Sequence, residues 1–188
     1  MKKTAPAQAE VKLSPRAEIY EWIRSIITAL IIVVILFVFF VRIVDVVGPS
    51  MNPTLYDGDK LVVSNLFYTP KNGDIVIFRK ETYKPEALVK RVIATEGQTV
   101  DINFDKGIVY VDGVALEEPY IAEPTYNRLD FTGEMTVPEG CIFVMGDNRN
   151  DSSDSRRATI GMVDERMVVG KVLFVAFPLD SMGNPYGG

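Results

Sequence analysis

Two hydrophobic patterns divide this chain. Residues 26–41 read Ile-Ile-Thr-Ala-Leu-Ile-Ile-Val-Val-Ile-Leu-Phe-Val-Phe-Phe-Val, with no polar face recurring at helical spacing. As helix this run is about 24 Å long at 1.5 Å per residue. Extending it to 22–44 supplies the ~20 residues that a bilayer core requires. Arg24 and Arg42 then reach for the two interfaces and Trp22 sits in one of them. A buried core helix fits less well, because sixteen apolar residues with an aromatic cluster leave no polar side. A cleavable leader also fits less well: no A-x-A-like site follows the run, and Gly48 precedes Pro49.

Beyond residue 60 the period changes to that of strands. Short β-branched and aromatic runs at 60–64, 74–79, 88–95, 99–103, 108–111, 114–116, 141–145 and 167–177 alternate with turn signals. Asp112-Gly113 between Val111 and Val114 predicts a two-residue hairpin. No long segment of 3.6 period follows the apolar helix. The expected architecture is therefore mainly β, an antiparallel sheet domain over 45–180 preceded by one N-terminal transmembrane helix at 22–44. Residues 1–21 form an N-terminal segment whose first dozen positions are expected to be disordered. Residues 117–134 read as a surface excursion, and 181–188 as a flexible tail. Lys2, Lys3, Lys12, Arg16 and Arg24 precede the span, while Arg42 and Lys60 are the first cations after it. The positive-inside rule thus puts the N-terminus in the cytoplasm and the β-rich part on the extracytoplasmic face.

Composition removes several chemistries. The formal net charge is −5, which disfavours nucleic acid as a partner. One cysteine, Cys141, excludes an intrachain disulfide, and the absence of histidine disfavours a structural zinc site. The polar loop at 146–156 fails the calcium-loop spacing, since Arg149 falls at a ligand position. No cofactor and no metal is expected.

The lack of histidine matters most for Ser50. It lies in Gly48-Pro49-Ser50-Met51-Asn52-Pro53-Thr54-Leu55, just past the apolar run, where two prolines and a glycine oppose helix and central strand. A nucleophilic serine here cannot use an imidazole, so a Ser-His-Asp triad is excluded. The remaining base is a lysine kept neutral by burial. In the strand at 88–95, Lys90 shares a face with Leu88, Val92 and Ala94. Such a setting lowers an ammonium pKa. The alternative is a lysine that snorkels from a sheet edge. The loop at 146–156 reads either as a solvated turn cluster or as support for a site. In the second reading Asp154 pairs with Arg156, Asp147 pairs with Arg91 or Arg149, and a serine hydroxyl orients the amine.

Four ordered stretches carry a resemblance: Gly-Pro-Ser-Met-Asn-Pro-Thr-Leu at 48–55, Gly-Asp-Ile-Val-Ile-Phe at 73–78, Lys-Arg-Val-Ile-Ala at 90–94 and Gly-Asp-Asn-Arg-Asn-Asp-Ser-Ser-Asp-Ser-Arg at 146–156. Together with the preceding anchor they resemble the type I signal peptidases, and the compact Gram-positive-type members in particular. The resemblance implies a membrane-anchored serine endopeptidase that removes signal peptides from exported pre-proteins, with a lipid bilayer as its second partner. It implies Ser50 as nucleophile and Lys90 as general base. It further implies Ser152 bonded to the lysine amine, Asp154 and Arg156 bracing the loop, and Asp147 pairing with Arg91. The Ser50 N–H is the implied oxyanion donor, and Gly48 stands where some members supply a second donor from a serine side chain. A dedicated pilin- or adhesin-processing peptidase and a non-catalytic assembly factor are the alternatives. The second should lack Ser50 or Lys90, and both are present.

Overall fold

The structure is a computed structural model that describes residues 14–80 and 82–186. The expectation of disorder in the first dozen residues lies outside them. The chain divides into two compact units, 1–39 and 40–188.

The first unit is built on helix α1, Pro15–Phe40. Ser14 caps it by accepting from the Ala17 and Glu18 amides at its carbonyl, and Pro15 fills the first turn, where no amide is needed. Ile23, Ile27, Leu30 and Val34 are all exposed. Among the described residues no helix is long and apolar enough to cross a membrane.

The second unit contains two antiparallel sheets. Its strands are β1 Val41–Asp45, β2 Lys60–Ser64, β3 Ile75–Lys80, β4 Lys84–Thr95, β5 Thr99–Asn103, β6 Ile108–Val111, β7 Val114–Ala115, β8 Met135–Thr136, β9 Cys141–Met145, β10 Val163–Asp164 and β11 Val168–Phe177. The large sheet runs β1-β2-β11-β3-β4-β9-β10 and the small one β7-β6-β5-β8. The expected helix end at 44 is corrected: helix stops at Phe40, and Val41–Asp45 pairs along its full length with β2. Val41, Ile43 and Val44 are β-branched, which suits a strand, and β2 supplies the partner. Two further strands, β8 and β10, were not foreseen; two residues are too few to show a period.

β3 explains the layering. Its Ile75 and Ile77 point into one core with Met51, Leu55, Leu61 and Val63, while Val76 and Phe78 point into another with Leu88, Val92 and Ile142. A strand buried on both faces reads as a continuous apolar run. A third core joins the sheets through Val100, Val109, Phe131 and Phe143. Asp112 and Gly113 take φ of 51° and 76° in the β6–β7 hairpin, as a two-residue primed turn requires.

The tail expected to be loose is fastened. The Tyr186 hydroxyl donates to Val172 O at 2.7 Å and accepts from Ile75 N at 3.1 Å, and Gly183 bridges to Val175. One half-buried aromatic with a hydrogen-bonding tip ties down a short terminus.

Candidate active site

The turn C-terminal to Ser50 holds it in place. Met51 and Leu55 are 1% and 0% exposed, and both pack into the core beneath β2 and β3. The turn closes on itself through Asn52 N to Pro49 O at 3.0 Å and Leu55 N to Met51 O at 3.0 Å. Burial of two large side chains at this spacing leaves Ser50 at the lip of a recess of about 270 Å³. Lys90 lines the same recess.

Lys90 is 2% exposed. Its Nζ lies 2.7 Å from Ser50 Oγ and 2.8 Å from Val89 O. Leu88 and Val92 share its face as expected, but Ala94 does not. A register shift between Val92 and Ala94 turns Ala94 with Ile93 toward the small sheet, because a bulge resets the alternation. Burial pushes the Lys90 amine down from 10.5 to about 8; the charge of Asp154 opposes that, and Lys84 adds to it. A lysine in this range exchanges a proton with a nearby hydroxyl near neutral pH.

Arg91, the next residue, points the other way. Its Nε and NH2 donate to Asp147 Oδ1 and Oδ2 at 2.9 and 2.6 Å, so Asp147 pairs with Arg91 and not with Arg149. Asp147 also accepts from Thr54 Oγ1 at 2.5 Å. That carboxylate therefore joins the Ser50 turn to β4. Arg156 makes the matching two-point contact with Asp154, at 2.9 and 2.8 Å, and the Gly146 amide donates to Asp154 at 3.0 Å. Burial alone would raise the Asp154 carboxyl, but the hydrogen bonds and charge of Arg156 outweigh it and hold the group below its usual range. Asn148 N donates to Ser50 O at 3.1 Å. Gly146 must be glycine, since a Cβ there would strike Ser50 O and the Ser152 side chain.

One expectation changes. Ser152 lines the recess, but its hydroxyl does not bond the lysine. Among the described residues its Oγ is buried without a hydrogen-bond partner, and Lys90 takes Val89 O as its second contact. Gly48 has no side chain to serve as a second donor, and its N–H donates to Asp57 Oδ1 at 2.7 Å. The Ser50 N–H enters none of the turn and loop backbone hydrogen bonds of the described residues.

Several contributing residues were missed. The expected surface excursion supplies Glu118, which pairs with buried Arg149 at 2.6 Å, and Tyr120, whose ring lies 3.9 Å from the Arg91 guanidinium carbon. The clustering of Glu118, Pro119 and Tyr120 carried no periodic signal, and their partners are distant in sequence. A larger recess of about 400 Å³ borders Tyr120, Pro53 and Tyr186, and neither Ser50 nor Lys90 lines it.

Residues 19–177 match the family model described as signal peptidase, peptidase S26. The probable signal peptidase I-1 of Synechocystis is 39% identical over 180 residues, covering 90% of this chain and 88% of that protein. Signal peptidase I T of Bacillus subtilis is 38% identical over 172 residues, covering 86% and 87%. Signal peptidase IB of Staphylococcus aureus is 34% identical over 184 residues, covering 87% and 92%. A crystal structure of a signal peptidase I from Enterococcus faecalis aligns with a TM-score of 0.47 at 33% identity, over 55% of this chain and 97% of that one.

Proposed function

The chain belongs to the signal peptidase, peptidase S26, family, and from that premise we propose that it is a membrane-anchored endopeptidase that cuts signal peptides from exported pre-proteins with a Ser50–Lys90 pair. The observation that carries this reading is the buried Lys90 amine 2.7 Å from the Ser50 hydroxyl. The neutral amine takes the hydroxyl proton as Oγ attacks the carbonyl before the cut. The resulting ammonium returns the proton to the leaving amine. Water then attacks the acyl carbon as it gives a proton to the same amine, and the ammonium returns that proton to Ser50 Oγ as the acyl–oxygen bond breaks. The free Ser50 N–H is suited to the developing oxyanion.

The walls of the recess suit an extended peptide. β4 pairs with β3 along its first half, whereas β9 joins it only from Arg91 onward. Among the described residues the opposite backbone edge of 86–90 has no partner strand, and it is suited to pairing with substrate. Pro85, with no amide to offer, sits at the start of that edge.

Anchoring rests on chemistry of two kinds. The apolar run of α1 continues in sequence to residue 41. Just past it, exposed Ile43 of β1 and Phe174 of β11 flank Val62 on adjacent strands, with Phe177 and Leu179 exposed beyond them. An apolar rung of this kind is suited to a lipid surface. Tethering confines enzyme and substrate to one surface and raises their effective concentration. By the charge asymmetry around α1, the N-terminus is cytoplasmic and the β domain extracytoplasmic.

The test is cleavage of a purified pre-protein by the full chain. Ser50→Ala and Lys90→Ala should each lower the rate at least about a thousandfold with the melting transition retained. Cleavage by folded Lys90→Ala at the parent rate would end this mechanism. Turnover of several unrelated pre-proteins, against one alone, separates a general signal peptidase from a dedicated processing enzyme.

A further inference from the structure

The recess holds a cation that the proposed chemistry does not use. Arg157 lines it, and among the described residues its Nε is buried without a hydrogen-bond partner. Its neighbours differ in having a carboxylate at hand: Arg149, whose NH2 also lacks a well-aligned hydrogen bond, lies 2.6 Å from Glu118, and Arg156 pairs with Asp154, with both arginine side chains fully buried. No carboxylate of the described residues lies within ion-pairing distance of Arg157. A guanidinium is planar, permanently charged and built for two-point contact with a carboxylate. A buried donor left without a partner costs free energy unless a ligand or water completes it.

The rest of the recess sharpens the charge argument. Its other charged residues are Lys84, Lys90, Asp45 and Asp151. Asp45 is matched by Lys60 at 2.7 Å, and Lys90 is held toward its neutral form by burial. Lys84 and Arg157 then face a single unmatched carboxylate, Asp151. The lining is locally positive in a chain whose net charge is −5.

We propose that Arg157 is a specificity-determining residue of the Ser50–Lys90 recess, receiving an acidic side chain of the substrate at one position flanking the cut. This rests on the peptidase reading. It assigns the enzyme a preference among signal peptide substrates according to the charge they carry beside the cut.

The test scans a pre-protein peptide with Asp, Asn or Lys at each of three positions on either side of the cut, using the full chain in detergent. For the parent enzyme kcat/KM should favour Asp over Lys about tenfold at one position. The ratio at that position should fall to about one in Arg157→Ala and invert in Arg157→Glu. Arg157→Lys, which keeps charge but loses the fork, should retain part of it, and added salt should weaken it. The inverted preference is a gain that an unfolded variant cannot produce. Identical profiles for the parent and folded Arg157→Glu would overturn the assignment. Cleavage that persists in Ser50→Ala would instead overturn the peptidase reading beneath it.

Discussion

Strand β4 buries two cations side by side in sequence and treats them in opposite ways. On one face Arg91 is 3% exposed and receives a carboxylate with both oxygens in use. On the other Lys90 is 2% exposed and receives a hydroxyl and a carbonyl. Desolvation penalises both charges. The guanidinium is permanently charged, and with a carboxylate in contact the pair becomes a fixed brace. With only neutral acceptors in contact the amine is free to lose its proton. Residue type and environment act together: a permanently charged guanidinium met by a carboxylate is structural, and a buried amine met only by neutral acceptors can titrate.

The largest effect should come from breaking the brace. Asp147→Ala leaves the Arg91 guanidinium buried without its partner and frees Thr54 from its acceptor. Loss of one member of a buried pair costs about 3–5 kcal/mol, read as a fall in denaturant midpoint. Replacing both, as Arg91→Met with Asp147→Leu, should recover most of it, because no uncompensated charge remains. A cost below about 1 kcal/mol for the single variant would mean that the pair does not brace the turn against β4.

The opposite sign is expected across the strand. Lys90→Met removes a buried group whose folded pKa, about 8, lies below its unfolded value. Below pH 8 the folded chain must either carry a desolvated ammonium or release a proton that the unfolded chain would keep. The native lysine is therefore destabilising there, by at most about 3 kcal/mol at 1.36 kcal/mol per unit. The penalty fades as pH rises from 8 toward the ordinary lysine value. The variant should be inactive yet more stable at pH 7, with the gain absent near pH 10.5. Unfolding in urea at the two pH values measures it. Equal gains at both would assign the effect to packing.

This contrast also marks what sequence reasoning can reach. The alternation in Leu88-Val89-Lys90-Arg91-Val92 places the two cations on opposite faces, and the absence of histidine directs attention from Ser50 to a lysine. Period and composition are local signals. The partners are not local: Asp147 lies 56 residues from Arg91, and the Glu118–Arg149 pair joins an irregular excursion to a polar loop. Ser152 shows the limit most sharply. Its place in the 146–156 stretch implied a bond to the amine, yet its hydroxyl has no partner among the described residues. A rotamer and a backbone path decide that, and neither is written in the spacing. The start of β1 was hidden for another reason. Val41–Asp45 continues an apolar run that reads as helix until β2 offers it hydrogen bonds.

The smallest expected effect tests whether the titrating face responds to charge at a distance. Lys84 lowers the Lys90 pKa, whereas Asp154 raises it. Asp154 is itself a brace for Arg156, so its removal would mix two effects. Lys84 is partly exposed at the start of β4 and makes no ion pair among the described residues. Removing a like charge makes the Lys90 ammonium easier to keep, so its pKa rises. In Lys84→Ala the acid limb of kcat/KM, near pH 8 in the parent, should move to higher pH, leaving the rate on the alkaline plateau close to that of the parent. Because the interaction crosses solvent-exposed space, added salt should shrink the displacement. A limb that stays fixed at low salt would mean that desolvation alone sets the amine, and one that moves to lower pH would mean that the base lies elsewhere.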